Sequence, residues 1–339
     1  MAFQEQDHTT TACASIATWS ALQIAGKLFQ RKIPSPSAVT KNALSTNLSG
    51  SKFPNSGLTG EQICTAIIAN GLSTYKSPIK THKNLLALVY SYGKAGLPII
   101  CGLSIYKKKN NKAITSTRIL HAVTINGYKL DTKIPKEVFS KYELRLNSSR
   151  IKKLYAHDDQ LCPFARLEMQ STYIQIGKQS VKYLTTEWPN SESNNGESHE
   201  KRVAIIENIY IPLHPNMRIH YPDVYETILQ FMNYVFETSK GWFEILKEAE
   251  WDIYLKDLNK FKQDILKHPG TIFNVHRSEV VNTHFPKYIW VVGIKFEQST
   301  AYELIFDTTE SRDRTGFLYF ISHSETYKVF DDLIQKYFS

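Results

Sequence analysis

The stretch LHAVTINGY at residues 120–128 decides how the first half of the chain folds. It is short, apolar and rich in β-branched residues, and it ends at Gly127, a pattern that predicts a β-strand. Runs of the same kind recur at residues 97–103, 150–157, 166–176 and 181–185. Several such strands in succession predict an antiparallel sheet.

Helical patterns precede these strands. Residues 12–29 are apolar nearly all round, which predicts a buried helix, and the three threonines at residues 9–11 are candidates for its N-cap. A second helix is predicted to start at Thr59, which forms a capping-box pair with Gln62, and a third covers residues 83–92. Helices followed by consecutive strands predict an α+β fold, with the helices packed against an antiparallel sheet.

A polar segment at residues 187–201 lacks periodicity and divides the chain. Beyond it, residues 202–339 carry a second α+β pattern that includes an antiparallel meander and a final helix. We therefore predict a first domain at residues 1–186, a linker or surface loop at 187–201, and an α+β extension at 202–339 that could pack on the first domain. Within this extension, no group of residues has a pattern that favours catalysis.

The charge of the chain bears on its partners. Lysine and arginine number 41 and aspartate and glutamate 32, which gives a net charge of +9. Such a charge favours acidic partners, and nucleic acid is one of them. No nucleic-acid recognition motif accompanies the charge, so we favour a solvated surface and keep nucleic acid as a secondary candidate.

The cellular location of the protein and the redox state of its thiols can be predicted from the N-terminal residues, the apolar stretches and the cysteines. The N-terminal residues lack the features of a secretory signal, and no apolar stretch has the length to span a bilayer. We therefore expect a cytoplasmic protein with no membrane partner. The cysteines lack the paired spacing of a zinc site, so we expect reduced thiols, three of them in the core. These cysteines are Cys13, Cys64, Cys101 and Cys162.

Three residues form a candidate catalytic set. Cys13 lies at the start of the first predicted helix, where the helix dipole and the free N–H groups favour a thiolate. His121 lies within the apolar strand at residues 120–128, and Asp158 lies at the end of a later strand. A thiol, an imidazole and a carboxylate are the groups that nucleophilic thiol catalysis requires.

This order of a cysteine opening a buried helix, a histidine on a strand and an aspartate at the end of the next strand resembles the papain-like cysteine peptidases. Within that superfamily it looks most like the branch that includes the bacteriocin-leader-processing peptidases. The resemblance covers residues 3–165. It implies a papain-like fold with an N-terminal helical lobe and an antiparallel β-sheet lobe. It also implies that Cys13 is the nucleophile, His121 the base and Asp158 the residue that orients the imidazole.

The resemblance leaves some positions open. It implies a glutamine shortly before the cysteine as oxyanion donor, for which Gln6 is the first candidate and Gln4 the second. Asp159 follows Asp158 directly, so either carboxylate could face the histidine, and Asn126 is a further alternative. Asp159 and Arg166 are also candidates for substrate binding, because the loop that joins them could form a wall of the cleft.

The leading prediction for function is a cysteine hydrolase, most simply a peptidase that cleaves a peptide or isopeptide bond of a peptide or protein substrate. An acyl transferase or glutamine deamidase with the same triad is an alternative, since water and amines compete for one thioester. A non-catalytic interaction module with a basic surface is another. His8 and His157 lie near the motifs but supply no third ligand, so neither a metal nor an organic cofactor is expected. The sequence does not determine the oligomeric state.

Overall fold

The chain folds into two compact units. The computed structural model describes residues 12–45, 57–109, 112–132, 143–185, 202–268, 270–297, 299–311, 316–323 and 328–338. Unit 1 consists of Met1–Val89, Gly96–Asp131 and Ile151–Pro215, and unit 2 consists of Tyr90–Ala95, Thr132–Arg150 and Asn216–Ser339. The units therefore alternate along the chain instead of following one another.

Seven strands of unit 1 form a single sheet. They are β1 (Ser73–Pro78), β2 (Ile99–Lys109), β3 (Lys112–Leu130), β4 (Ile151–Asp158), β5 (Cys162–Ile176), β6 (Gln179–Thr185) and β7 (Arg202–Leu213). Their order is β1-β7-β2-β3-β4-β5-β6, and each strand is antiparallel to its neighbours in this order. β6 pairs in addition with β7 through Leu184 and Ala204. Within the described residues, this pairing closes β2 to β7 into a six-stranded barrel.

The papain-like arrangement implied by the resemblance is wrong, although the chain is α+β. A closed antiparallel barrel replaces the open arrangement of a helical lobe beside a sheet lobe. The physical reason is β7, which pairs with β1, β2 and β6 and so completes the sheet of unit 1. The sequence pattern predicts that this strand belongs to the extension at residues 202–339. Strand patterns are local, and they do not show which distant strands pair.

Four helices begin in the described residues of unit 1. They are α1 (Cys13–Phe29), α2 (Pro36–Ala43), α3 (Gly60–Ala69) and α4 (His82–Gly93), of which the last turn belongs to unit 2. α1 is buried along most of its length, as its apolar pattern predicted. The hydroxyl of Thr124 in β3 donates a 2.7 Å hydrogen bond to the carbonyl of Ala17 in α1. This bond ties the helix that carries Cys13 to the strand that carries His121.

Unit 2 is built on a four-stranded antiparallel sheet in the order β11-β10-β9-β8. Its strands are β8 (Glu250–Asp257), β9 (Tyr288–Phe296), β10 (Ser299–Asp307) and β11 (Phe317–Ser322). Its helices are a 3-10 helix (Asn147–Arg150), α5 (Tyr221–Thr238), α6 (Lys240–Glu248), α7 (Leu258–Lys267), α8 (Arg277–Asn282) and α9 (Lys328–Phe338). None of the helices in the described parts of the chain combines the length and the apolar character that crossing a membrane requires.

A buried ion cluster in unit 2 surrounds Asp252. Its Oδ1 accepts a 2.6 Å hydrogen bond from the hydroxyl of Tyr90, and its Oδ2 accepts a 2.5 Å bond from Lys295. Lys94 donates to both oxygens, at 3.2 and 3.0 Å. Each oxygen of this carboxylate therefore has two donors. Burial alone would raise the pKa of Asp252, but the two lysines outweigh it and lower the pKa below its usual value.

Candidate active site

Cys13 is the first residue of α1, as expected. The N-cap position belongs to Ala12, which has no side chain to bond the first-turn N–H groups, and the first turn holds no acidic residue. The threonines proposed as caps lie outside the described residues. An N-terminus without a side-chain cap leaves its N–H groups available, and these favour negative charge on a nearby sulfur or oxygen. The Cys13 side chain is half-buried.

His121 lies in β3 opposite Leu103 of β2, and its side chain is 2% exposed. Its ring interacts with two side chains. Nε2 lies 3.1 Å from Oδ1 of Asp158, and Cys13 lies near enough to the ring to raise the pKa of His121. Because Nε2 faces Asp158, Nδ1 is the ring nitrogen that remains for the sulfur. The structure therefore brings together the three residues that the sequence selected.

Asp158 is held in place by the turn that follows it. It ends β4 and pairs with Cys162 at the start of β5, so the chain reverses between them. The backbone N–H of Gln160 donates a 2.9 Å hydrogen bond to Oδ1, the same oxygen that faces His121. The carbonyl of Asp158 accepts from the N–H of Leu161 at 3.3 Å. These bonds within the turn hold the carboxylate at the ring.

The electrostatics of the three groups favour a protonated imidazole. Burial works against the charged ring, but the hydrogen bonds to Asp158 and Cys13 outweigh it and raise the pKa of His121 to about 10. A protonated imidazole beside a sulfur is placed to give its proton to a group that leaves from that sulfur's substrate. The arrangement can therefore supply a nucleophile together with a proton donor for the leaving group.

Asp159 is a second buried carboxylate beside the same ring. Its side chain is 1% exposed, and its Oδ1 lies 3.8 Å from Nε2 of His121. Neither oxygen has a hydrogen-bond partner among the described residues. Burial raises the pKa of Asp159 to about 6 against the pull of His121, and the neighbouring Asp158 adds to the rise. The closer contact of Asp158 makes it the better candidate for the triad acid.

The remaining candidates lie elsewhere or outside the described residues. Gln6 and Gln4 fall outside the described part of the chain. The amide of Asn126 is buried and has no hydrogen-bond partner among the described residues, and His121 bonds Asp158 instead. Arg166 is exposed, lies opposite Tyr155 of β4 and binds Glu168.

Sequence reasoning missed two features near the site. Leu120, assigned to an apolar strand, is 67% exposed immediately before His121. Phe164 is 62% exposed, and its ring packs edge-on against His157 at 5.2 Å. Exposed apolar side chains next to a buried reactive pair suit contacts with a peptide. The sequence offered one indication that Leu120 is exposed. The apolar run at residues 120–128 is flanked by lysines and threonines, and residues 112–118 just before it do not continue its buried pattern.

The cysteines also differ from expectation in one respect. Cys101 is buried and Cys64 is half-buried, but Cys162, expected in the core, is exposed. Burial raises the pKa of both Cys64 and Cys101. Cys13 is therefore distinguished from the other thiols by its contact with a histidine. Comparisons of the sequence with protein-family models and with curated proteins give no match.

Proposed function

We propose that the protein is a cysteine hydrolase that cleaves a peptide or isopeptide bond through Cys13, His121 and Asp158. The observation that carries the proposal is the buried imidazole of His121, which contacts the thiol of Cys13 and the carboxylate of Asp158 at once. A structural histidine needs neither a half-exposed sulfur nor a fixed carboxylate. The function does not depend on a papain-like fold, since the same constellation occurs on unrelated folds.

The chemistry proceeds in two halves. The thiolate of Cys13 attacks the carbonyl carbon, the carbonyl electrons move to oxygen, and the N–H groups at the start of α1 offset the charge. The intermediate then collapses, and the amine leaves with the proton of His121. Water loses a proton to His121 and attacks the thioester, which releases the acid and restores the thiolate. Asp158 keeps the ring in the tautomer and orientation that both proton transfers require.

Hydrolysis and its alternatives, acyl transfer and deamidation, differ in the substrate and in the molecule that attacks the thioester. An amine in place of water would make the same thioester the intermediate of an acyl transfer, and a glutamine side chain as substrate would make the reaction a deamidation. Both retain the three residues. We favour hydrolysis of a peptide or protein in a reducing compartment such as the cytoplasm, because the reaction needs a free thiol.

Site-resolved alkylation tests the nucleophile before any substrate is known. The wild-type chain is treated with limiting iodoacetamide near pH 6.5, and peptide mass spectrometry follows each cysteine separately. We expect Cys13 to react at least about 10-fold faster than the exposed Cys162, because thiolates and not thiols react. His121→Ala should remove this advantage. Equal rates at Cys13 in the wild type and in His121→Ala would contradict the proposal.

A product assay tests the reaction itself. Peptide mixtures are incubated with the wild type, with Cys13→Ala and with Cys162→Ala as the matched control, and the products are identified by mass. Cleavage should be lost in Cys13→Ala and retained in Cys162→Ala. A mass gain of one unit on glutamine without chain cleavage would favour deamidation. If the Cys13→Ala variant cleaves peptides as fast as the wild type does, the protein is not a cysteine hydrolase.

A further inference from the structure

Two buried carboxylates lie beside one imidazole in the candidate active site. Asp158 and Asp159 lie 3.1 and 3.8 Å from Nε2 of His121, and Cys13 also interacts with the ring. Isolated charges are costly to bury, so buried carboxylates are normally paired, protonated or bound to a cation. His121 supplies one positive charge at most. A bound cation is one way to stabilise two neighbouring buried carboxylates.

The geometry of the donors suits a metal ion. A ring nitrogen of His121 and one carboxylate oxygen from each of Asp158 and Asp159 lie within 4.8 Å of one another, and all three residues are buried. Asp159 is the independent indication, because its side chain is 1% exposed and neither oxygen has a hydrogen-bond partner among the described residues. Asp159 is thus a buried carboxylate, 3.8 Å from an imidazole nitrogen, that the proposed triad does not use.

We propose that His121, Asp158 and Asp159 form a site for a divalent cation of the zinc type, and that occupancy of this site switches the hydrolase off. One nitrogen and two carboxylate oxygens are ligands that Zn²⁺ accepts, and a water completes four-coordination. The metal takes the place of the proton on Nε2, which leaves as H⁺. The inhibition rests on the proposed hydrolase function, whereas the binding itself does not.

The inhibition follows from the chemistry of the ring. An imidazole bound to a metal through Nε2 cannot become imidazolium, and its remaining Nδ1 proton is far less acidic than that of an imidazolium. The ring therefore fails to protonate the leaving amine. Asp158 is bound to the metal in this state and no longer orients a protonated ring.

Binding is measured on the full chain by titration calorimetry with Zn²⁺, for the wild type, Asp159→Asn and Cys13→Ala. We expect one site in the wild type, at least about 10-fold weaker binding in Asp159→Asn, and affinity within about 3-fold of the wild type in Cys13→Ala. Cys162→Ser is the matched control, because it removes the thiol that pairs in register with Asp158. Thermal unfolding of each variant reports whether it is folded, and cobalt absorption provides a second measure of site occupancy.

The outcomes separate the two proposals. Unchanged Zn²⁺ affinity in Asp159→Asn, or its loss in Cys13→Ala, would overturn the metal site, and the second result would point to simple thiolate capture. Under the proposal, zinc slows cysteine-dependent turnover by more than about 10-fold, a chelator restores it, and Asp159→Asn resists the metal. Faster turnover with zinc overturns the inhibitory role. A chain that binds zinc as predicted but cleaves nothing refutes the hydrolase and leaves the site in place.

Discussion

Asp252 in unit 2 and Asp159 in unit 1 are both nearly inaccessible to solvent, yet their surroundings differ. Asp252 receives two donors on each oxygen, from Tyr90, Lys94 and Lys295. Asp159 receives no hydrogen bond from the described residues. The pKa of Asp252 is lowered, and that of Asp159 is raised to about 6.

The difference indicates what each cluster does. A buried carboxylate whose donors are all in place contributes to the fold, and its removal leaves other charges unpaired. A buried carboxylate without donors costs stability, and such residues are found mainly at functional sites. The same burial therefore favours a structural role for Asp252 and a functional one for the pair beside His121. Three substitutions test this contrast.

The largest effect is expected from Asp158→Asn. The amide cannot hold His121 in its protonated, oriented form, so cysteine-dependent turnover should fall by about 10²–10⁴-fold while the chain stays folded. Asp252→Asn, assayed below its own unfolding temperature, should leave turnover within about 3-fold of the wild type. Equal losses in both variants would mean that activity follows stability and not the triad.

The next effect concerns stability. Asp252→Asn should lower the free energy of unfolding by about 3 kcal/mol, because it leaves Lys94 and Lys295 without their counter-charge in a buried setting. The matched control is Asp264→Asn, which breaks a 2.8 Å ion pair with Lys256 while its own side chain is 64% exposed. Exposed pairs contribute less than about 1 kcal/mol. Denaturant unfolding compares the two, and similar losses would contradict the contrast.

The smallest effect is a gain. Asp159→Asn should raise the free energy of unfolding by on the order of 2 kcal/mol at pH 7 in the presence of a chelator, because it removes a carboxylate that ionises less readily when folded. Since the pKa of Asp159 is raised from 3.8 to about 6, the gain should be absent below pH 4 and complete above pH 6.

The contribution of Asp252 to the free energy of unfolding should change with pH in the opposite direction to that of Asp159. Its folded pKa is lowered, so its contribution is present above about pH 4 and disappears as the pH falls through the folded value. Unfolding of both variants and the wild type across pH 3–8 measures the two trends. A destabilised Asp159→Asn at pH 7 would show that this carboxylate has a partner that supports the fold.

The elements of the fold were largely readable from local patterns. The capping box of Thr59 and Gln62 opens α3 as predicted, and the antiparallel meander predicted within residues 202–339 corresponds to β9, β10 and β11. α2 was not predicted. Proline normally interrupts a helix, but Pro36 occupies the first turn of a helix that Ser35 caps.

Long-range features of the fold and the site were harder to predict from the sequence. Among the described residues, the barrel is closed by a bridge between Leu184 and Ala204, which lie on either side of the polar segment that seemed to divide the chain. In the site, chain order selected Cys13, His121 and Asp158, but it did not reveal that Asp159 is buried. Adjacent acids at the end of a strand normally face solvent in a turn. Only the packing around the turn decides otherwise, and no local pattern encodes it.

The position of β7 has a practical consequence for anyone who divides this protein. A fragment that stops within residues 187–201 would lose the partner of three strands at once: β1, β2 and β6. Each would present an unsatisfied ladder of N–H and C=O groups to its neighbours in solution, which is the usual origin of edge-to-edge association. The polar composition of residues 187–201 makes them an obvious place to truncate the chain. We expect a fragment truncated there to self-associate.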